Sequence, residues 1–244
     1  MMTVLLLAAL GVSALGVAVN RRWRLAGQAM MILGGLGLVG VLALQFRQSV
    51  FTPHPKPPSR CAIAVSTCLA DCMMRDLSSR SGTVVLLFPE RRVMDADTEQ
   101  SYEQGFTLPL RHGRGDLHLK AIHLEAAKDK GGHSVAEFRQ ALVQAPDALA
   151  IICYAGVPAG FETLFAGQAN PAPFYAFDPE GGMNWVIALK QGHLRAVVLP
   201  RPGVNTRDLE GATGTPQDIF DRFYLLATPS NADEVAAQFR KSSR

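Results

Sequence analysis

Hydrophobic and polar positions divide this sequence into two parts of different character. Residues 3–19 and 26–46 contain no charged side chain, and the basic segment NRRWRL separates these two apolar runs. The second run has about 20 residues, which is the helix length that spans the hydrocarbon core of a bilayer, and the first is near the lower limit. The pattern predicts a transmembrane helical hairpin over residues 1–47.

The first apolar run has an alternative interpretation as a cleaved signal peptide. No Lys or Arg precedes it and no clean small-x-small cleavage site follows it, so the sequence favours a retained helix. Residues 48–60 come next and include FTPHPKPPSR, which has four prolines in ten residues. This composition is typical of an extended, semi-rigid linker.

From residue 61 to residue 244, short apolar runs alternate with helical patterns. The segment CAIAVSTCLADCMMRDLSSRSG predicts a first helix that ends at Gly82. The apolar runs predict strands over 83–88, 117–124, 148–155, 173–177, 195–200 and 223–227. The remaining patterns predict helices over 96–111, 134–145, 159–167, 182–191 and 231–240. This alternation predicts an α/β domain with a doubly wound, mostly parallel sheet that is buried on both faces.

Charge is distributed unevenly between the two parts. Residues 1–60 contain six Arg or Lys and no acid, whereas residues 61–244 contain 18 Arg or Lys and all 21 acids, a net charge of −3. The domain therefore lacks the basic balance that nucleic-acid binding requires, and we expect no nucleic-acid partner. Membrane lipid is the expected partner of the hairpin.

The bases around the hairpin also predict its orientation. Arg21, Arg22 and Arg24 crowd the short loop, so the positive-inside rule places that loop in the cytoplasm. Three further bases follow the second run, on the side that this orientation places in the periplasm, which is contrary to the rule. We expect a two-pass protein of the bacterial inner membrane with its soluble domain on the periplasmic, extracytoplasmic side.

The sequence lacks the usual catalytic signatures. It contains no G-x-S-x-G elbow, no Walker A loop, no H-E-x-x-H and no paired C-x-x-C, and its six histidines share no metal-ligand spacing. We therefore expect a protein that is not an enzyme and that carries no cofactor.

Three cysteines follow a helical spacing. Cys61, Cys68 and Cys72 are separated by seven and four residues, which places them on one face of the first helix. In an oxidising compartment such a face forms a disulfide or holds a soft metal, for which Cys68 and Cys72 are the weak candidates. The favoured alternative is a face of small residues packed on the sheet, and Cys153 is expected in the core.

Candidate binding residues follow the predicted strands. In a doubly wound sheet, ligands bind outside the carboxyl ends of the strands. The candidates at these ends are Phe88, Glu90, Tyr154, Asp178 and Arg201. Aromatic rings, carboxylates and a guanidinium can together hold a small polar molecule, although each residue can also simply cap a turn.

Four segments carry a resemblance to a known family. They are TVVLLF with the later YEQGF, APDALAIICYAG, FYAFDPEGGMNWVIALKQGHLRAVVLPRPG, and LLATPSNADEV. In this order and spacing they resemble the C-terminal lobe of type 1 periplasmic-binding proteins of the sugar-receptor class. The resemblance implies one periplasmic-binding-protein-like lobe over residues 61–244, fused to the two-helix membrane anchor.

The departures from that family bear on function. Its Asn-Asp pair is replaced by Tyr154 and Ala155, and its Gln-Asp pair by Pro200 and Arg201, whereas Asp178 keeps the family's acid. In the family two lobes close around the ligand, and this chain has one. We therefore expect a non-catalytic accessory or interaction subunit of a membrane complex, with a membrane-protein partner or a second copy. The alternative is a sugar-like small-molecule sensor or transport component in which two chains supply the two lobes.

Overall fold

The computed structural model describes residues 59–77, 81–111, 117–125, 133–166, 171–180, 183–204, 209 and 211–242. The chain divides into two compact units, Met1–Lys56 and Pro57–Arg244. The predicted hairpin and nearly all of the predicted linker lie outside the described residues. Within the described part, no helix has both the length and the apolar character needed to cross a membrane.

Helices and strands alternate along the second unit. The helices are α1 (Arg60–Asp76), α2 (Ala96–Arg111), α3 (Val135–Leu142), α4 (Asn184–Lys190), α5 (Pro216–Phe223) and α6 (Ala232–Ser242). The strands are β1 (Gly82–Phe88), β2 (Leu117–His123), β3 (Ala148–Cys153), β4 (Phe174–Phe177), β5 (Leu194–Pro200) and β6 (Tyr224–Ala227).

The six strands form one sheet in the order β2-β1-β3-β4-β5-β6. The first five strands pair in parallel, and β6 pairs antiparallel to β5. This topology confirms the predicted α/β fold with a mostly parallel sheet.

Helices cover both faces of the sheet because its central strands are apolar on both sides. In β1, Val84 and Leu86 belong to the core under α1, α2 and α5, whereas Val85 and Leu87 belong to the core under α3, α4 and α6. All four side chains have no exposed surface. The sheet is therefore doubly wound, and two separate cores sandwich it.

The ends of some elements differ from the sequence-based prediction. Helix α1 ends at Asp76, and Gly82 begins β1 instead of ending the helix. Within the predicted helix over 159–167, the described residues form only a 3-10 turn at Phe161–Thr163. Helix α5 was not predicted, although Thr215 and Asp218 form a capping box around Pro216 at its start. These reciprocal hydrogen bonds lower the pKa of the exposed Asp218 carboxyl.

Helices α1 and α2 approach each other most closely at Gly105. A Cβ atom on Gly105 would lie 2.5 Å from the carbonyl oxygen and 2.7 Å from the Cα of Ile63. The Thr67 hydroxyl donates to the Gly105 carbonyl over 3.1 Å, and the Ser59 N–H donates to the Ser101 hydroxyl over 2.9 Å. The absence of a side chain at Gly105 thus allows the two backbones to make contact.

Substitution Gly105→Ala tests this contact. The new methyl group meets backbone atoms that cannot rotate away, so we expect a loss of about 1–3 kcal/mol in the free energy of unfolding. Urea denaturation of the 244-residue chain in mild detergent measures the change. The control Gln104→Ala alters an exposed position of the same helix and should change stability by less than about 0.5 kcal/mol. Equal stability of Gly105→Ala and wild type would contradict the close packing.

Candidate functional site at the carboxyl edge of the sheet

The topology of the sheet identifies one crevice. From β1 the chain passes through α2 to β2 on one side, and from β3 it passes to β4 on the other. The carboxyl ends of β1 and β3 therefore form the switch point at which doubly wound folds bind ligands. All five predicted site residues follow strands at this edge.

An aromatic cluster lies at the carboxyl ends of β1 and β3. Phe88 and Tyr154 stack with ring centroids 5.1 Å apart and an angle of 14° between their planes. Tyr102, which projects from α2, lies 4.3 Å from Tyr154 and 6.4 Å from Phe88, centroid to centroid. The relative exposures are 0% for Phe88, 2% for Tyr154 and 7% for Tyr102. We call Phe88, Tyr102 and Tyr154 the aromatic plug.

A hydrogen bond from α1 fixes the plug. The hydroxyls of Tyr154 and Ser66 lie 2.6 Å apart, and both side chains are buried. Burial raises the pKa of Tyr154 well above its ordinary value, so its hydroxyl stays protonated. Burial also raises the pKa of Tyr102. The predicted site residues Phe88 and Tyr154 therefore act as packed core, with the Tyr154 hydroxyl engaged by Ser66.

Asp178 lies at the carboxyl end of β4 and is buried, with 5% of its surface exposed. Its Oδ1 accepts a hydrogen bond from the Glu180 N–H over 3.2 Å. Gly156 lies beside it with a φ of +82°, and a Cβ there would be 3.6 Å from Asp178 Oδ1. Burial, with a smaller contribution from Asp178, raises the pKa of Cys153 to about 12. A carboxyl group this buried is uncommon in proteins. Of the residues at this edge, Asp178 most resembles a ligand-binding group.

Glu90 and Arg201 lie at opposite ends of this edge. Glu90 is half-buried, and its Oε1 lies 3.7 Å from Nε of the exposed Arg92. Arg201 donates from Nε to the carbonyl oxygen of Asp221 in α5 over 3.1 Å. Strands β1 and β5 are three positions apart, about 14 Å at the usual spacing.

Two polar groups that sequence analysis did not select lie near the plug. His123 Nε2 at the end of β2 is 3.0 Å from Glu99 Oε2 in α2, and the His123 ring lies 5.7 Å from that of Phe88. Partial burial and the charge of Glu99 raise the pKa of Glu103. No spacing rule links residues 99 and 123, so only the packing of α2 beside β2 shows that they meet.

The cysteines support the packed-face interpretation of α1. All four are free thiols. Cys61 is buried and donates to the Leu209 carbonyl oxygen over 3.4 Å, and Cys153 is fully buried, as predicted for core residues. Among the described residues, no group of three or more His, Cys, Asp or Glu is arranged to hold a metal ion. The weak metal assignment of Cys68 and Cys72 stays a prediction.

Substitution Tyr154→Phe tests the bond that fixes the plug. It leaves the buried Ser66 hydroxyl without this partner, and we expect a loss of about 1–3 kcal/mol in unfolding free energy. The double variant Ser66→Ala with Tyr154→Phe removes both hydroxyls and should be more stable than the sum of the single losses implies. Thermal or urea unfolding of the four proteins measures the cycle. Strictly additive losses would contradict a direct hydrogen bond.

Comparison with known proteins adds information on the fold alone. No family model and no curated protein matches the sequence. Among solved structures, a galactofuranose binding protein is 12% identical, with 75% of this chain and 64% of that chain covered and a TM-score of 0.51. A carbohydrate transporter solute binding protein from Agrobacterium radiobacter, in complex with D-arabinose, is 13% identical, with 72% and 63% covered and a TM-score of 0.50. The match spans less than two thirds of either structure, so this chain is similar in fold to part of a sugar-binding solute-binding protein.

Proposed function

We propose that this chain is a membrane-anchored, extracytoplasmic and non-catalytic module built on a solute-binding-receptor lobe. It acts as an interaction subunit of a membrane complex. The observation that carries the proposal is the aromatic plug, which occupies the crevice where a ligand would bind. A lobe that fills its own crevice keeps the receptor architecture and offers the carboxyl edge as a surface for another protein.

The energy of the plug supports protein binding over ligand binding. An aromatic side chain buries at least about 150 Å², and exposing that area costs about 4 kcal/mol. A small ligand that displaced Tyr102 would therefore lose roughly a thousandfold in affinity. Arg201 also donates a hydrogen bond to the backbone of α5, which leaves few groups whose contacts with a ligand would restore that affinity.

The carboxyl edge carries exposed residues suited to a protein contact. In the loop between β1 and α2, Val93 has 73% of its surface exposed. Its N–H donates to the Glu90 carbonyl oxygen over 2.8 Å, which holds the loop in a turn, and Arg91 and Arg92 are exposed beside it. An apolar side chain flanked by arginines is a common composition of protein interfaces.

The membrane part of the proposal rests on the sequence. The two uncharged runs within residues 1–47 and the basic loop between them support a two-pass anchor in the bacterial inner membrane. Residues 48–60 would then separate the lobe from the bilayer. Fusion of the chain to a reporter that is active on only one side of the membrane tests this orientation.

Asp178 favours a second candidate function. Its buried carboxyl at the end of β4 is the group that the sugar-receptor resemblance retains. If a partner chain supplied a second lobe, Asp178 would accept a hydrogen bond from a hydroxyl of a sugar-like ligand held between the two lobes. The chain would then be a small-molecule sensor or a component of a transport system.

A sugar panel separates the two functions. Because the plug fills the crevice, we expect pentoses and hexoses, D-arabinose included, to leave the melting temperature of the purified chain unchanged. Differential scanning fluorimetry in mild detergent measures it. A sugar that raises the melting temperature of wild type but not of Asp178→Ala would instead support the sensor. Arg92→Ala, which alters an exposed side chain, is the control.

The interaction function predicts a complex that depends on the carboxyl edge. In mild detergent the intact chain should purify in a complex larger than the monomer, measured by light scattering after size exclusion. Val93→Glu puts a charge on that edge and should dissociate the complex. The control Val143→Glu alters a side chain that is 76% exposed but lies at the amino edge, and it should leave the complex intact. A wild-type chain that always runs as a monomer would contradict the proposal.

A further inference from the structure

A groove separate from the carboxyl edge lies between α1 and α5. Its volume is about 630 Å³, and Cys68, Asp71 and Arg75 of α1 face Gln217 and Phe220 of α5 across it. It therefore has one thiol, one acid and one base on one wall, and it is roomy enough for a small organic molecule.

Cys68 belongs to a pair of thiols. Cys72 follows it by one helical turn, and the two thiols lie near enough for each to shift the pKa of the other. On the other side, Arg75 Nη2 donates to Cys72 Sγ over 3.2 Å, while its Nε donates to the Asp71 carbonyl oxygen over 3.3 Å. Cys72 is 6% exposed, whereas Cys68 is partly exposed and lines the groove. The sulfur of Cys72 thus receives a hydrogen bond from Arg75.

Arg75 and the neighbouring thiol favour an ionised pair. Cys68 and then the Arg75 guanidinium lower the pKa of Cys72 to about 7, against the opposing effects of burial and of Asp76, whereas Cys72 and burial raise the pKa of Cys68. Tyr175 of β4 also lies near the Cys72 sulfur, and burial raises the pKa of its phenol, so that group stays neutral. Gln217 and Phe220 are uncharged. Near neutral pH the pair therefore holds one proton, mainly on Cys68.

We propose that Cys68 and Cys72 form a thiol-modification site, at which the groove-facing sulfur of Cys68 forms a mixed disulfide with a small zwitterionic disulfide such as oxidised glutathione or cystine. Asp71 and Arg75 flank that sulfur with opposite charges, which match the ammonium and carboxylate groups of such a molecule. This site lies outside the carboxyl edge and does not depend on the proposed interaction function.

The alternatives fit the geometry less well. Side chains four residues apart on a helix have Cβ atoms about 5–6 Å apart, whereas a disulfide needs about 3.5–4.5 Å. Closing Cys68 onto Cys72 would therefore unwind a turn of α1. A soft metal cation would meet the positive charge of Arg75, which already occupies one side of the Cys72 sulfur.

The reaction balances as a thiol–disulfide exchange. The shared proton moves to Cys72, and the Cys68 thiolate attacks one sulfur of the small disulfide. The bond between Cys68 and that sulfur forms as the bond within the small disulfide breaks, and the leaving thiolate takes a proton from water. One disulfide is consumed and one is formed, so no other oxidant is needed.

The test uses the 244-residue chain in mild detergent with oxidised glutathione as the probe. The reaction is quenched with acid at successive times, and peptide mapping by mass spectrometry gives the rate of adduct formation at each cysteine. We expect Cys68 to react about tenfold faster than the buried Cys61 and Cys153. The rate should rise between pH 6 and pH 8 as the shared thiolate forms.

Two variants test whether the reaction rate of Cys68 depends on its pairing with Cys72 or only on its exposure. Cys72→Ser and, independently, Arg75→Gln should slow modification of Cys68 about fivefold to tenfold near neutral pH, because each removes stabilisation of the thiolate. Arg240→Gln, which changes an exposed arginine of α6 on the opposite face of the sheet, should not. Far-UV circular dichroism checks that each variant is folded. The proposal is overturned by equal rates in all four proteins, by an intrachain Cys68–Cys72 disulfide without adduct, or by faster reaction at Cys61 or Cys153.

Discussion

The contact of α1 with α2 at Gly105 is the constraint on which the carboxyl edge depends. With a Cβ position only 2.5 Å from the Ile63 carbonyl oxygen, the two helices can touch only because residue 105 has no side chain. This contact presses α2 against the sheet and places Tyr102 over Phe88 and Tyr154. Since α1 also supplies the Ser66 hydroxyl to Tyr154, one pair of helices both covers and locks the crevice.

The same arrangement shows how a doubly wound fold can be kept while the side chains at its carboxyl edge vary. The parallel sheet must be covered by helices on both faces. That requirement maintains the architecture independently of which residues lie at the carboxyl edge. The side chains at the edge can change, because the bonds that join these residues to the sheet are made by the backbone, as in the Tyr154 N–H to the Leu87 carbonyl oxygen. Here aromatic residues pack at the switch point, Glu90 lies near Arg92, and Arg201 donates to the backbone of α5. The buried Asp178 is the part of the edge that still resembles a binding group.

Sequence patterns predicted the strands well. The runs of the central strands β1, β3, β4 and β5 are largely buried on both faces, whereas only Ile122 is buried in the edge strand β2. They predicted which residues end at the carboxyl edge, since that follows from strand order alone. They did not predict that Tyr102 closes the crevice, because its position depends on how closely α1 and α2 pack. The Glu99–His123 contact was missed for a similar reason, as it joins a helix to a strand 24 residues away. Helix α5 could have been found from its Thr-Pro start and capping acid, but its apolar positions are few.

The central claim is that the crevice is closed by this chain's own side chains. A crystal structure determined in the presence of a high concentration of D-arabinose tests it most directly. The account predicts the Phe88 and Tyr154 rings stacked about 5.1 Å apart, with Tyr102 against them and no sugar between β1 and β3. A sugar seated in the crevice, with Tyr102 displaced and Asp178 bound to a hydroxyl, would contradict it.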